Sequence, residues 1–288
     1  MREANKPKIA IAQPKPQNQM EQLVEYVKRA HSENVALILF PEGYLPSYKE
    51  QDFLSLEDET IESVKGLSRE YDLAIATGIK EKLGRNLFLS LVLFSEGDII
   101  AIHRKVFLAE FEKALFSSRK LRLDAEDLFP VVRVTGLGNV GCLLCYENLF
   151  PEIYRLLRYR GAEIVVGPSG FGMRGEAFDY RESWLCALRS RSMENKMYVV
   201  SATNAIGEDL MGVVIDPAGR VLLDEDSEVY NCCSIDMGYL RNLRAGLSVE
   251  EGIVSKELKI NIGRIPPLFY KILHSESVSF RKRNPNVE

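Results

Sequence analysis

Short, continuously apolar runs alternate along this chain with longer segments of helical period, and that alternation narrows the folds open to it. The runs at 8–13 (KIAIAQ) and 35–40 (VALILF) are strand-length, whereas 18–34 carries Met20, Leu23, Val24, Val27 and Ala30 at helical spacing. A helix over 59–71 and a strand over 73–78 follow. Strands over 87–94 and 99–103 come next, joined as a hairpin through Ser95-Glu96-Gly97-Asp98. The second half repeats the layout with a strand over 140–146, a helix over 151–160, a strand over 163–167, a long helix over 176–196 and a strand over 197–203. Short strands over 211–215, 220–223 and 229–235 close the series, with Asp216-Pro217-Ala218-Gly219 as a turn. Alternation of this kind predicts an α/β fold whose sheets are covered by helices.

No low-complexity linker interrupts the pattern, so one domain is expected over 1–255. The extension 256–288 changes character but keeps Phe269, Tyr270 and Leu273, apolar content that is expected to pack on its own domain or on a partner subunit. Charge excludes some function classes: 37 basic and 41 acidic residues are spread along the chain, so no nucleic-acid surface is implied. The apolar runs are too short to cross a bilayer. Five cysteines without a disulfide framework, and no signal peptide before the first apolar run, make the cytoplasm the expected compartment. The three histidines, His31, His103 and His274, are not at metal-ligand spacing, which disfavours a metal-dependent amidohydrolase; no metal or cofactor is expected.

Chemistry concentrates at three strand ends. In Gly141-Cys142-Leu143-Leu144-Cys145-Tyr146-Glu147-Asn148 an apolar strand runs into a polar turn, and a helix follows at Pro151. A cysteine at such a corner stands at the edge where open α/β folds bind ligands, and helix N–H groups there favour a thiolate and a developing oxyanion. The other reading of Cys145 is a small buried hydrophobe. Cys142 and Cys145 form a Cys-x-x-Cys, but residues three apart on a strand have Cα atoms roughly 10 Å apart, too far for a disulfide. Glu42, in Phe40-Pro41-Glu42-Gly43-Tyr44, puts a carboxylate at a second strand end, where it can act as a general base or be a solvated loop residue. Lys105, in His103-Arg104-Lys105-Val106-Phe107-Leu108, ends a third.

These segments, with Phe150-Pro151-Glu152, Gly161-Ala162-Glu163-Ile164, Arg191-Ser192-Met193-Glu194-Asn195 and 212–219, resemble the nitrilase (carbon–nitrogen hydrolase) superfamily from Lys8 to about Ile235. The resemblance implies a four-layer α-β-β-α sandwich with a Glu-Lys-Cys triad, here Glu42, Lys105 and Cys145. It implies hydrolysis of a non-peptide carbon–nitrogen bond of a small amide through a cysteine thioester, releasing ammonia or an amine. Cys145 would attack, Lys105 and the Tyr146 N–H would hold the oxyanion, and Glu42 would move protons. Many members use a second glutamate after the lysine; Glu112 fits that spacing, with Glu110 in reserve. Tyr146, Asn148, Phe171 and Arg174 are the candidate substrate-binding residues. The arginines with which some members hold N-carbamoyl amino acids are replaced by Asn148 and Leu149. Glu147-Asn148 also resembles the Glu-Asn of true nitrilases, so a small nitrile is the alternative substrate, and an inactive scaffold of the same fold is the non-enzymatic alternative. Members commonly pair through the helices flanking the nucleophile, so a homodimer or higher homo-oligomer through 151–160 and 176–196 is expected.

Overall fold

Period-two alternation decides which way each strand faces. In the first strand Ile9 and Ile11 enter one apolar core while Ala10 and Ala12 enter another, and in the second Leu37 and Leu39 separate from Ile38 in the same way. A strand buried on both faces belongs to the middle of a layered fold, and the computed structural model has that architecture. It describes residues 6–15, 17–47, 51–120, 128–170, 180–204, 211–225 and 230–245, together with 271, 274 and 275.

In chain order the elements are β1 (Lys8–Ala12), α1 (Gln19–Ser32), β2 (Val35–Leu39), α2 (Glu59–Glu70), β3 (Ala74–Leu83), β4 (Asn86–Ser95) and β5 (Asp98–Arg104). There follow β6 (Val131–Val134), β7 (Gly138–Cys142), α3 (Pro151–Tyr159), β8 (Ile164–Val166), α4 (Tyr180–Asn195) and β9 (Tyr198–Ser201). The series ends with β10 (Gly212–Ile215), β11 (Val221–Glu225), β12 (Tyr230–Ser234) and α5 (Met237–Ala245). Among the described residues the strands form two mixed six-stranded sheets, ordered β12-β1-β2-β3-β4-β5 and β11-β10-β9-β8-β7-β6. The parallel pairs are β1–β2 and β2–β3 in the first sheet, and β7–β8 and β8–β9 in the second.

Three apolar cores separate four layers. Ile9, Leu37, Leu91, Val140, Val166 and Val200 fill the space between the sheets. Leu23 and Val27 of α1 and Ile61 and Val64 of α2 pack with Ile38 on the outside of the first sheet. Ile153 and Leu157 of α3 and Leu188 of α4 pack with Val165 and Val199 on the outside of the second. The α-β-β-α sandwich implied by the resemblance is therefore the fold. Met1–Ala245 forms one compact unit; Gly246–Glu288 is grouped separately, and its described residues 271, 274 and 275 are exposed and helical.

Three local features depart from the sequence reading. The strand expected over 140–146 stops at Cys142, and Cys145–Leu149 is a single 3-10 turn. β6 was not anticipated, because four residues after Pro130 carry no clear period; pairing with β7 makes them a strand. α5 was also missed, although Asp236 caps it by accepting the Tyr239 N–H at 2.8 Å, and its buried Met237, Leu240 and Leu243 recur every third residue.

Candidate active site

Proline ends β2 at the place where the site begins. Phe40 still donates to Ala76 O at 2.8 Å, but Pro41 has no N–H to continue the ladder, and the chain turns out of the sheet. Glu42 then donates its N–H to Ser169 O at 3.4 Å, a link to the loop after β8 in the other sheet. Gly78 on β3 passes beneath it: a Cβ there would meet the Glu42 Cα and Pro41 O at 2.4 Å, so only glycine permits this approach.

Lys105 follows β5, its N–H on Leu89 O at 2.8 Å, and its side chain is wholly buried. Nζ donates to Glu42 Oε1 at 2.8 Å and to Glu112 Oε1 at 2.6 Å. Glu112 sits in the 3-10 turn Glu110–Ala114, and its other oxygen accepts the Ala109 N–H at 2.7 Å. Glu110 lies on the exposed side of the same turn, paired with Lys113 at 2.7 Å, so Glu112 is the glutamate that reaches the lysine.

Cys145 opens the turn after β7. Its N–H donates to Pro168 O at 2.8 Å, and its φ of 44° places it in the left-handed region, which costs a non-glycine residue roughly 1–3 kcal/mol and aims the side chain out of the sheet edge. The sulfur and the carboxylate oxygens of Glu42 and Glu112 lie within 4.8 Å of one another. The thiol hydrogen-bonds the Glu42 carboxylate, and the Gly170 N–H points at the sulfur. A Cβ on Gly170 would come within 2.9 Å of Glu42 Oε2, so a glycine there keeps the carboxylate in place. Two carboxylates and a sulfur have metal-ligand chemistry, but the Lys105 ammonium already stands between the carboxylates and would repel a cation.

Burial and neighbouring charge act together on the protonation of the site. Burial, then the Glu42 carboxylate, push the Cys145 thiol up to about 12, against the lowering effect of Lys105. A thiolate beside two carboxylates and one ammonium would leave the buried cluster with a net charge of −2, which favours the neutral thiol while both glutamates are ionised. Burial also raises Glu42, with Lys105 opposing and Glu112 reinforcing. For Lys105 burial acts against its charge, but Cys145, Glu42 and Glu112 outweigh it and hold the ammonium protonated.

A second buried carboxylate ties the lysine segment to the cysteine turn. Glu147 Oε1 accepts the N–H groups of Val106 at 2.7 Å and Phe107 at 3.2 Å, while Oε2 accepts Leu144 N–H at 2.8 Å and bonds His103 Nε2 at 2.7 Å. Burial raises its pKa, but His103 and the backbone donors win and hold it below the usual carboxylate range. Asn148 is also wholly buried. Its Nδ2 donates to Cys145 O at 2.9 Å and Gly167 O at 3.2 Å, and its Oδ1 accepts the Tyr154 hydroxyl at 2.6 Å, so it braces the turn from beneath. The Tyr146 ring is partly exposed and packs edge-on against Phe150 at 5.3 Å. Phe171 and Arg174 lie outside the described residues.

The site opens into a cavity of about 500 Å³ bounded by Glu42, Glu112, Lys80, Leu89, Phe116 and Asn204, among others. Lys80 and Asn204 escaped the sequence reading, as did the Glu147–His103 bridge. Lys80 begins the charged run Lys80-Glu81-Lys82 of β3, where nothing in the local sequence singles it out. Only the return of β9 to the cleft reveals Asn204, whose amide is buried with neither Nδ2 nor Oδ1 hydrogen-bonded.

Comparison with known proteins agrees with this geometry. A "Nitrilase" of Pyrococcus abyssi is 27% identical over 258 residues, covering 82% of this chain and 92% of the relative. The human "Deaminated glutathione amidase" is 28% identical over 281 residues, covering 84% and 81%. The crystal structure of an amidase from Nesterenkonia sp. superposes with a TM-score of 0.69 at 24% identity, covering 83% of this chain and 94% of that one. A mutant of that amidase carries the acetamide moiety of fluoroacetamide on its active-site cysteine. Residues 8–245 match the carbon-nitrogen hydrolase family, and with Glu42, Lys105 and Cys145 placed as a catalytic triad at the meeting of two sheets, this chain belongs to the nitrilase superfamily of carbon–nitrogen hydrolases.

Proposed function

We propose that the protein hydrolyses small amides through a thioester on Cys145. The observation that carries this reading is the proton path: a neutral thiol hydrogen-bonded to a buried carboxylate of raised pKa, beside an ammonium that stays charged. As Sγ attacks the carbonyl carbon, Glu42 takes the thiol proton, and Lys105 Nζ with the Tyr146 N–H, in the first turn of its helix, receives the oxyanion. The tetrahedral adduct collapses as the Glu42 carboxylic acid gives that proton to the departing nitrogen, so ammonia or an amine leaves and a thioester remains. Water, deprotonated by Glu42, then attacks the thioester, and the acid departs as the thiol regains its proton. Glu112 keeps Lys105 aimed throughout. A carboxylic acid able to protonate an amine is what amide cleavage needs, and amidases are among the relatives.

The deciding assay is ammonia release from a panel of short amides, ω-amides, carbamoyl amino acids and nitriles, with Cys145→Ala as the control. Turnover of amides supports the reading. Turnover of nitriles alone replaces it with the nitrilase alternative, and no turnover above Cys145→Ala on any compound leaves the inactive scaffold.

A further inference from the structure

Hydrolysis of the thioester needs a water held against Glu42. Acylation of the sulfur removes the thiol hydrogen bond to this carboxylate and leaves it an acceptor to spare. Its Oε1 accepts Lys105 Nζ at 2.8 Å, whereas Oε2 is directed toward Gly170, where an added Cβ would come within 2.9 Å of it. The chain on that side comes from the ends of β8 and β9. Ser169 O accepts the Glu42 N–H at 3.4 Å, and the Ser169 N–H donates to Ala202 O at 2.9 Å. Asn204 is two residues beyond Ala202, a span of at most about 7 Å, and it borders the cavity together with Glu42 and Gly170.

This corner carries polar atoms that the fold itself does not use. Asn204 is 2% exposed, and neither Nδ2 nor Oδ1 has a hydrogen-bond partner among the described residues. Ser169 is 1% exposed, and its Oγ is likewise without one. Buried polar side chains are normally satisfied, so two such exceptions on adjoining strand ends beside a cavity are completed by what enters it. The backbone at Asn204 is fixed: Thr203 donates its N–H at 3.0 Å and its hydroxyl at 2.8 Å to Gln13 Oε1, and its Oγ1 accepts the Met211 N–H at 2.9 Å. An amide anchored in this way can orient a small molecule. A buried water takes about two to four polar partners, and Glu42, Asn204 and Ser169 supply both acceptors and donors for one.

We propose that Asn204, assisted by Ser169, holds the water that hydrolyses the thioester. Asn204 Oδ1 accepts one hydrogen of this water and Glu42 Oε2 the other, which turns the oxygen lone pair toward the thioester carbon. As the water oxygen bonds to that carbon, its proton passes to Glu42. The carbon–sulfur bond then breaks, the acid departs, and the same proton goes to Sγ. Asn204 thus acts in the second half of the reaction, after ammonia or the amine has left. This inference rests on the amide-hydrolase reading and deepens it.

The test isolates that half-reaction. p-Nitrophenyl acetate acetylates Cys145 without any amide being cleaved, and loss of the acetyl group is followed by peptide mass spectrometry. Asn204→Leu, of similar volume, is expected to take up the acetyl group at nearly the wild-type rate and to lose it to water about 10- to 100-fold more slowly, with Ser169→Ala slowed less. Hydroxylamine attacks a thioester without a base to hold it, so it should discharge acetylated Asn204→Leu and wild type alike. Leucine also removes unsatisfied buried atoms, so the Asn204→Leu melting temperature should equal or exceed that of wild type. Acetyl loss at the wild-type rate, or uptake and loss slowed together, overturns the inference. Hydroxylamine discharge slowed as much as hydrolysis, or a lowered melting temperature, gives Asn204 a structural role and overturns it too, as does a wild-type Cys145 that takes up no acetyl group. The amidase reading is judged separately by ammonia release, and slow deacetylation of Asn204→Leu supports the water site even if no amide is turned over.

Discussion

Replacing Glu42 by Gln should make Cys145 more reactive toward a small alkylating agent and less able to hydrolyse an amide. With its thiol pushed up to about 12, Cys145 is ionised to only about 3 parts in 100,000 at pH 7.5, against about one in ten for an ordinary cysteine. The Glu42 carboxylate is, after burial, the largest cause of that shift, and its oxygen lies within 4.8 Å of the sulfur. Two like charges about 5 Å apart at an effective dielectric of about 20 repel by about 3 kcal/mol, or about two pKa units. Removing one should therefore raise the thiolate population about 10- to 100-fold, while loss of the proton carrier lowers ammonia release about 100- to 10,000-fold. The assay is the pseudo-first-order rate of iodoacetamide labelling at Cys145, read by peptide mass spectrometry in a Cys186→Ser background, because Cys186 is exposed. Cys142 and Cys233, both pushed up to about 12 by burial, stay slow. If labelling and hydrolysis fall together in Glu42→Gln, the resting thiol is already ionised by Glu42 and the neutral-thiol reasoning is wrong.

Four further outcomes follow from the same structure. Glu147→Ala strips the acceptor from three backbone N–H groups at about 1–3 kcal/mol each, so its melting temperature should fall by at least about 6 °C in a thermal melt; a fall under about 2 °C refutes the bridge. Because the folded pKa of Glu147 is depressed, its contribution is complete above the unfolded value of 4.5 and lost as pH falls through the folded value, so wild-type and Glu147→Ala melting temperatures should converge in acid. Glu42 must be ionised to accept the thiol proton and its pKa is raised, so the acid limb of kcat/KM should lie above the ordinary carboxylate range; a limb at or below that range contradicts its role as base. Gly78→Ala drives a Cβ against the Glu42 Cα and Pro41 O and should cost both activity and stability, measured by ammonia release and thermal melting.

Much of the fold was legible because local pattern and tertiary placement agree. Ile9 and Ile11 opposite Ala10 and Ala12, or Leu23, Val27 and Ala30 along α1, can bury their apolar faces only in a layered sandwich. Glu42, Lys105 and Cys145 were legible as residues at or near strand ends that together carry the resemblance to the carbon–nitrogen hydrolases. Chain segments that depend on a distant partner were not: β6 exists through its pairing with β7, and the departure of Cys145 from the strand shows in its backbone angle, fixed by hydrogen bonds to Pro168 and Asn148. The sequence alone determined which residue types are available for the reaction and the order in which the strands deliver them. Tertiary structure alone decided that Glu112 rather than Glu110 clasps Lys105, that burial and Glu42 push the Cys145 thiol up, and that Lys80 and Asn204 border the cavity. These are consequences of distance and burial among residues far apart in the chain, and electrostatic energy depends on such separations in space rather than on position in sequence.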